Sequence, residues 1–420
     1  MVVALLTSAV VLTGRGVLPQ PLWTSVHVLA LGVLTSSVLR WSWYFARALL
    51  HLPATDARSG RDATVRMVVF HATLVALVAS MWTGKVVGTV AGAAAIGVVI
   101  AWHGPALVRA ARTRLGNRFA AVVRYYVAAA GFLVVGCTLA GFLTVAMFAA
   151  GAPDWLLAAR DGLTLAHAVV NVGGWLGLSI VGTLVTLGPT MLRTRINPGA
   201  LEHAITALPV LVVGLAVAAT AAVVGWLPGL GLGLLLVGAG ALVGIGLPLA
   251  RAARAAGPPS FATWTLAAGL GWAAVGFAAV VANAFVAPDA ATLREANLPW
   301  LAILGAGGLA QVLVGALSYL MPVVIGGGPG PVREGMTVLA TAWPTRLSLR
   351  TTALALLTVG TATGTGPRVL WWVLVLAAYG VDVALFARAG RRQSCARRAL
   401  GPAPRTALPL TLSPTPRSTP

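Results

Sequence analysis

Charge is what this chain has least of. Only 9% of its 420 residues are Asp, Glu, Lys or Arg, against about a quarter in soluble domains. That deficit excludes a string of soluble domains, although the length would allow two or three. Acids are scarcest, with nine Asp and Glu against 29 basic residues, and no two carboxylates stand at catalytic spacing. Cysteine is nearly missing: Cys137 and Cys395 are the only two, which rules out a disulfide framework or a CxxC metal site. Period-two alternation of apolar and polar residues is absent, which excludes a transmembrane β-barrel. There is no Walker or dinucleotide fingerprint and no Ser-His-Asp arrangement, so nucleotide and hydrolytic chemistry have no support.

What is present is apolar sequence. Hydrophobic residues make up 58% of the chain. They fall in runs of about 20, each long enough to cross a bilayer as a helix. The expected fold is therefore all-α, a polytopic transmembrane bundle. About twelve spans are predicted, near 2–18, 22–50, 64–83, 86–107, 121–150, 162–191, 203–225, 228–250, 261–286, 299–325, 346–365 and 368–388. The opening MVVALLTSAVVLTG lacks a basic leader and reads as a first helix rather than a cleaved signal.

Charge in the connectors tests that count. Arg58, Arg61 and Arg66 follow the second span, and Arg109, Arg112, Arg114 and Arg118 the fourth. Arg193 and Arg195 follow the sixth, Arg251 and Arg254 the eighth, and Arg333 and Arg346 lie between the tenth and eleventh. The alternate connectors hold few basic residues and several acids: Asp154, Asp161, Asp289 and Glu295. Basic loops stay inside, so both termini are placed in the cytoplasm. The net charge of +20 thus belongs to loops facing water and anionic headgroups, not to nucleic-acid binding. Lys85 is the only lysine, and with the heavy use of Ala, Gly and Val this suggests a GC-rich bacterial genome. The domain reading is a helical domain over 1–390 and a Pro-, Arg- and Thr-rich disordered tail over 391–420.

Polar side chains inside hydrocarbon are costly, so those that occur are candidates for function. At about 100° per residue, His167, Asn171, Gly174, Leu178 and Gly182 form one stripe of the sixth span. Thr24, His27, Thr35 and Ser42 share a face of the second. His27 and His167 enter from the same side at similar depth, so two imidazoles could ligate a haem iron or a copper ion from opposite sides. Asn171 would support them. His71, near mid-membrane in the third span, is a possible further ligand or proton relay. His51, His103 and His203 are expected at the cytoplasmic interface. Gln311, Gly315, Ser318, Tyr319 and Pro322 form the polar stripe of the tenth span; cavity lining and interhelical hydrogen bonding are both open for Gln311 and Tyr319. Asp382 is the only acid well inside a span, and either titrates neutral or pairs with an arginine, Arg40 being the candidate. The glycines from Gly229 to Gly246 read as close helix packing. GGGPGP at Gly326 to Pro331 reads as a helix-ending turn.

Three segments carry a resemblance: HVLALGVLTSSVLRWSWYFARALL from His27, HAVVNVGGWLGLSIVGTLVTLGPTMLRTR from His167, and QVLVGALSYLMPVVIGGGP from Gln311. With the span count, they resemble the haem–copper oxidase architecture, and more closely NnrS-type membrane proteins and the membrane portion of actinobacterial copper oxidase proteins, some of which are fused to a multicopper-oxidase domain. The likeness covers residues 1 to about 390. It implies a bacterial cytoplasmic-membrane protein that binds haem or copper near its outer face, serves redox or nitric-oxide-related metabolism, and meets a soluble copper or cytochrome redox protein. It does not reach an oxygen-reducing centre: the tenth span has no histidine and the seventh only His203, at the wrong end. Tyr44 also stands where relatives often carry histidine.

Two other functions compete. A twelve-span secondary transporter of the major-facilitator kind predicts a long central connector, whereas few residues separate spans six and seven near 194–202. Its second-to-third loop signature is nearly matched by DARSGR at Asp56 to Arg61, with one residue too many. A non-catalytic membrane subunit that docks a redox partner is the third reading.

Overall fold

A computed structural model describes residues 19–53, 60–113, 119–256 and 260–400. Every regular element among them is helical. In chain order the long helices are α1 Pro21–Leu49, α2 Arg61–Trp82, α3 Val86–Arg112, α4 Ala120–Phe148, α5 Arg160–Met191, α6 Ala200–Val223, α7 Leu227–Arg254, α8 Phe261–Val286 and α9 Ala290–Ile325. Then come α10 Pro329–Leu339, α11 Trp343–Thr363 and α12 Arg368–Ala399. Ten of these, all but α10 and α11, are long and apolar enough to cross a membrane. The protein is a multi-pass helical bundle whose apolar outer faces suit a lipid bilayer. The span expected over 2–18 lies outside the described residues. The one expected over 346–365 is α11, whose Arg346, Arg350 and several threonines make its composition less apolar.

Two boundaries differ from expectation. Helix α9 begins at Ala290, not 299, and takes Pro299 inside it. The Asp289 side chain caps it by accepting the Thr292 N–H at 2.8 Å. A π-helical turn, Ile303–Leu309, begins one turn after the proline and re-registers the backbone. Helix α12 continues to Ala399, so residues 391–399 belong to the bundle rather than to the tail. Gln393, fully buried, donates to Pro322 O at 2.7 Å and Gly326 O at 3.0 Å, and Arg397 to Ile325 O at 2.8 Å. These bonds satisfy carbonyls that end α9. Residues 401–420 of the tail lie outside the described residues.

Glycine lets the helices approach closely. Helices α6 and α7 touch at Gly214 and Gly233, where a Cβ on either would come within 3 Å of the other's backbone. Gly326, Gly327 and Gly328 all take positive φ and form the turn between α9 and α10. Both glycine readings therefore hold. Short connectors make neighbouring helices antiparallel, which leaves α1, α5 and α9 parallel, their first turns at one end. An ion pair from Arg294 in α9 to Asp161 in α5, at 3.0 Å, ties two of those first turns together.

Candidate functional site

The histidines of α1 and α5 meet. His27 is the seventh residue of its helix, and His167 falls in the second turn of α5. Their ring centroids lie 6.3 Å apart, with planes inclined by 30°. Each Nδ1 lies against a backbone carbonyl: His27 at 2.8 Å from Trp23 O and His167 at 3.1 Å from Gly136 O on α4. A ring that donates its Nδ1 proton to a carbonyl keeps the Nε2 lone pair free. Among the described residues neither Nε2 has a hydrogen-bond partner. The indole of Trp23 stacks on His27 at 4.1 Å and 17°.

The local backbone explains the placement. Directly beyond His27, α1 widens into a π-helix over Val28–Thr35, and α5 does the same over Val169–Gly177. The two widened segments are joined where Trp175 Nε1 donates to Thr35 Oγ1 at 2.9 Å. The π turn of α9 touches the same region through Gly305, whose absent Cβ would sit 3.6 Å from Leu29. π turns are uncommon and concentrate at functional sites. Here three of the four among the described residues converge.

Both predicted stripes face inward, onto different neighbours. In α5 the stripe packs along α4: His167 bonds Gly136 O, a Cβ on Gly136 would overlap the Asn171 amide, and Gly174 and Gly182 abut Phe132 and Tyr125. Asn171 donates to His167 O at 2.8 Å, and its Oδ1 is buried without a partner. In α1, Thr24 accepts from Trp82 Nε1, Thr35 from Trp175, and Ser42 bonds His103.

The remaining candidates fall elsewhere. His71 sits on an exposed face, with Nδ1 at 2.7 Å from Met67 O and Nε2 at 3.0 Å from Ser36 Oγ. Both its nitrogens are engaged away from the pair. Among the described residues no cluster of three or more His, Cys, Asp or Glu is placed to hold a metal. His103 is packed inside the bundle: it is 1% exposed, with Nε2 at 3.0 Å from Ser42 Oγ and Trp43 edge-on to its ring. His51 is exposed, and His203 bonds Gly199 O. Tyr319 is half-buried against the core.

A second polar cluster surrounds Asp382. Its partner is not Arg40, which is exposed, but two residues of α11. Arg346 Nη1 donates to Asp382 Oδ1, and Arg350 Nη1 to Oδ2 at 2.5 Å. Arg350 Nε donates to Gln311 Oε1 at 3.1 Å, so Gln311 makes an interhelical bond. Arg346 therefore is no loop charge, and Arg66, 2% exposed between the rings of Trp43 and Trp102, is not one either. Arg346 lies in the first turn of α11 and Arg66 in the second turn of α2, both near connectors, yet helix packing covers them. The clue in the sequence was Arg350, a cation one turn beyond Arg346 in a chain with one intramembrane acid. Trp23, Gly136 and Trp175 were not foreseen. An apolar aromatic or a glycine in an apolar helix carries no mark of its neighbour.

The donor set is selective. Two imidazoles fall short of the four ligands of structural zinc. They match the axial demand of a haem iron, whose other bonds come from its macrocycle, and imidazole also suits copper. No protein-family model matches the chain, and no curated protein matches it.

Proposed function

We propose that this is a bacterial cytoplasmic-membrane protein of oxidase-like, twelve-span architecture that binds haem or copper between His27 and His167, near its outer face, and serves redox or nitric-oxide-related metabolism. The supporting observation is the pair itself: two rings from helices far apart in sequence, 6.3 Å apart, each oriented by a carbonyl at Nδ1. Such outer bonds fix the ring and raise its basicity as a ligand. A bound haem or copper would supply one-electron chemistry. The chain's own residues hold and aim the two nitrogens, stack Trp23 on the His27 ring, and keep Asn171 braced against Gly136.

The outer-face placement follows from the connector charges, with the basic connectors inside. An activity reporter that works only in the periplasm, fused after Leu400, should stay silent; a strong signal would invert the topology.

The test of the site is an absorption spectrum and metal analysis of the purified protein. Haem gives a Soret band that shifts on reduction, and copper gives bound metal without it. His27→Ala and His167→Ala should each abolish the signal, and the double variant should look no worse than either, because ligands act as a unit. His51→Ala and His203→Ala should retain it. Protein with neither haem nor copper, or single variants with full occupancy, would leave the rings as packing groups.

A further inference from the structure

The Asp382 cluster is incompletely satisfied, in one direction only. It sets two guanidiniums against one carboxylate, leaving one positive charge uncompensated. Asp382 and Arg350 are at most 1% exposed and Arg346 6%. Arg346 is fully engaged: besides Asp382 it donates to Thr341 O at 3.0 Å and Leu339 O at 2.5 Å, and it lies over the Phe261 ring at 4.2 Å. Arg350 is not. Its Nε and Nη1 have partners and its carbon lies 4.6 Å from the Tyr379 ring centroid, but Nη2 is buried with none.

The adjoining Gln311 repeats the pattern. Its Oε1 takes the Arg350 Nε–H, while its Nε2, fully buried, has no partner. On α8, Thr265 lies one turn beyond Phe261 and one turn before Gly269, which abuts the Gln311 backbone. Thr265 Oγ1 is also buried and unpartnered. All three orphan groups can donate, and buried donors left unsatisfied are costly. A group that answers both the spare charge and the spare donors is an anion. Arg350, Gln311 and Thr265 are all fully buried, so the anion must be compact.

We propose that Arg350, Gln311 and Thr265 form an intramembrane site for a small monovalent inorganic anion, such as chloride or nitrate, between α8, α9 and α11. This site is separate from the histidine pair and does not depend on it. The anion brings the cluster to two negative against two positive charges and accepts from Arg350 Nη2, Gln311 Nε2 and Thr265 Oγ1.

The test is thermal unfolding of the purified full chain in detergent, in chloride, nitrate or gluconate at equal ionic strength. In wild type, chloride and nitrate should raise the midpoint over gluconate. Well above the dissociation constant, each tenfold increase in anion should add a similar increment. Gln311→Glu places a carboxylate beside Arg350, so it should abolish the anion dependence. Thr265→Val removes one donor and should raise the half-saturating concentration by up to about tenfold. A wild-type midpoint indifferent to the anion overturns the site, as does an anion response retained in full by Gln311→Glu. If Gln311→Glu does not fold, Thr265→Val decides alone: unchanged half-saturation there also overturns it.

Discussion

The two polar centres of this bundle solve the same problem in opposite ways. Around His27 and His167 the groups are neutral-capable, and backbone carbonyls engage one nitrogen of each ring while the other has no hydrogen-bond partner among the described residues. Around Asp382 the groups are charged, and side chains from three helices hold one another while one positive charge and the Arg350 Nη2 and Gln311 Nε2 donors stay spare. The first arrangement leaves ligand capacity at little structural cost, since a neutral imidazole tolerates burial. The second locks α9, α11 and α12 together, since a buried charge must keep its partner. A functional nitrogen is thus best sought where the backbone does the holding, and a structural clamp where side chains hold each other.

Breaking the charged centre should have the largest effect. Asp382→Leu strands two buried guanidiniums and should cost about 3–5 kcal/mol, seen as lost folded yield and a lower unfolding midpoint. Asp382→Asn should also fall, though less. Replacing all three charges together, with Asp382→Leu, Arg346→Met and Arg350→Met, should recover most of the loss. If Asp382→Leu alone is accepted without loss, the clamp reading fails.

The histidine centre breaks more gently in stability and more sharply in occupancy. Gly136→Ala drives a Cβ into Asn171 and should cost about 1–3 kcal/mol, with loss of bound haem or copper. Gly131 and Gly141 on the same helix have open space at Cβ. Alanine there should be neutral or stabilising by up to about 1 kcal/mol, with occupancy unchanged. Equal losses at all three glycines would show that α4 does not position His167.

His103 sharpens the contrast, because a side chain rather than a carbonyl bonds its ring. Ser42→Ala removes the partner at Nε2 and should cost about 1 kcal/mol. Metal and haem content should not move; if they do, His103 belongs to the redox site.

The smallest effect lies outside the apolar spans. Thr292 holds the Asp289 carboxyl below its usual range, through its backbone N–H first and its side chain second. A depressed folded value means that the cap is present above the ordinary carboxyl range and lost as the pH falls through the folded value. Hydrogen exchange at the Thr292 amide should speed up only in acid. Asp289→Asn should keep the cap and remove that dependence.

Much of this was legible in the chain. Ten apolar runs became helices of spanning length, glycine marked the α6–α7 contact, and the stripes of α1 and α5 did turn inward. Helix ends were less legible: Pro299 is carried through by the π turn after it, and α12 outlasts its apolar run because Gln393 and Arg397 bond the end of α9. Arg346 was misplaced because basic residues near a helix end look alike whether they face water or a buried acid.

By itself the sequence determined the class of the protein. Low charge and unbroken apolar runs compel helices, and helical periodicity compels each stripe to share a face. Only the tertiary structure decided which stripes meet. That Trp175 finds Thr35, a separation of 140 residues, that His167 leans on Gly136, and that Asp382 chooses α11 over Arg40 are matters of lateral packing. Periodicity records where a side chain points around its own axis. It holds no record of the helix that will stand opposite, because that follows from close packing among all the helices at once.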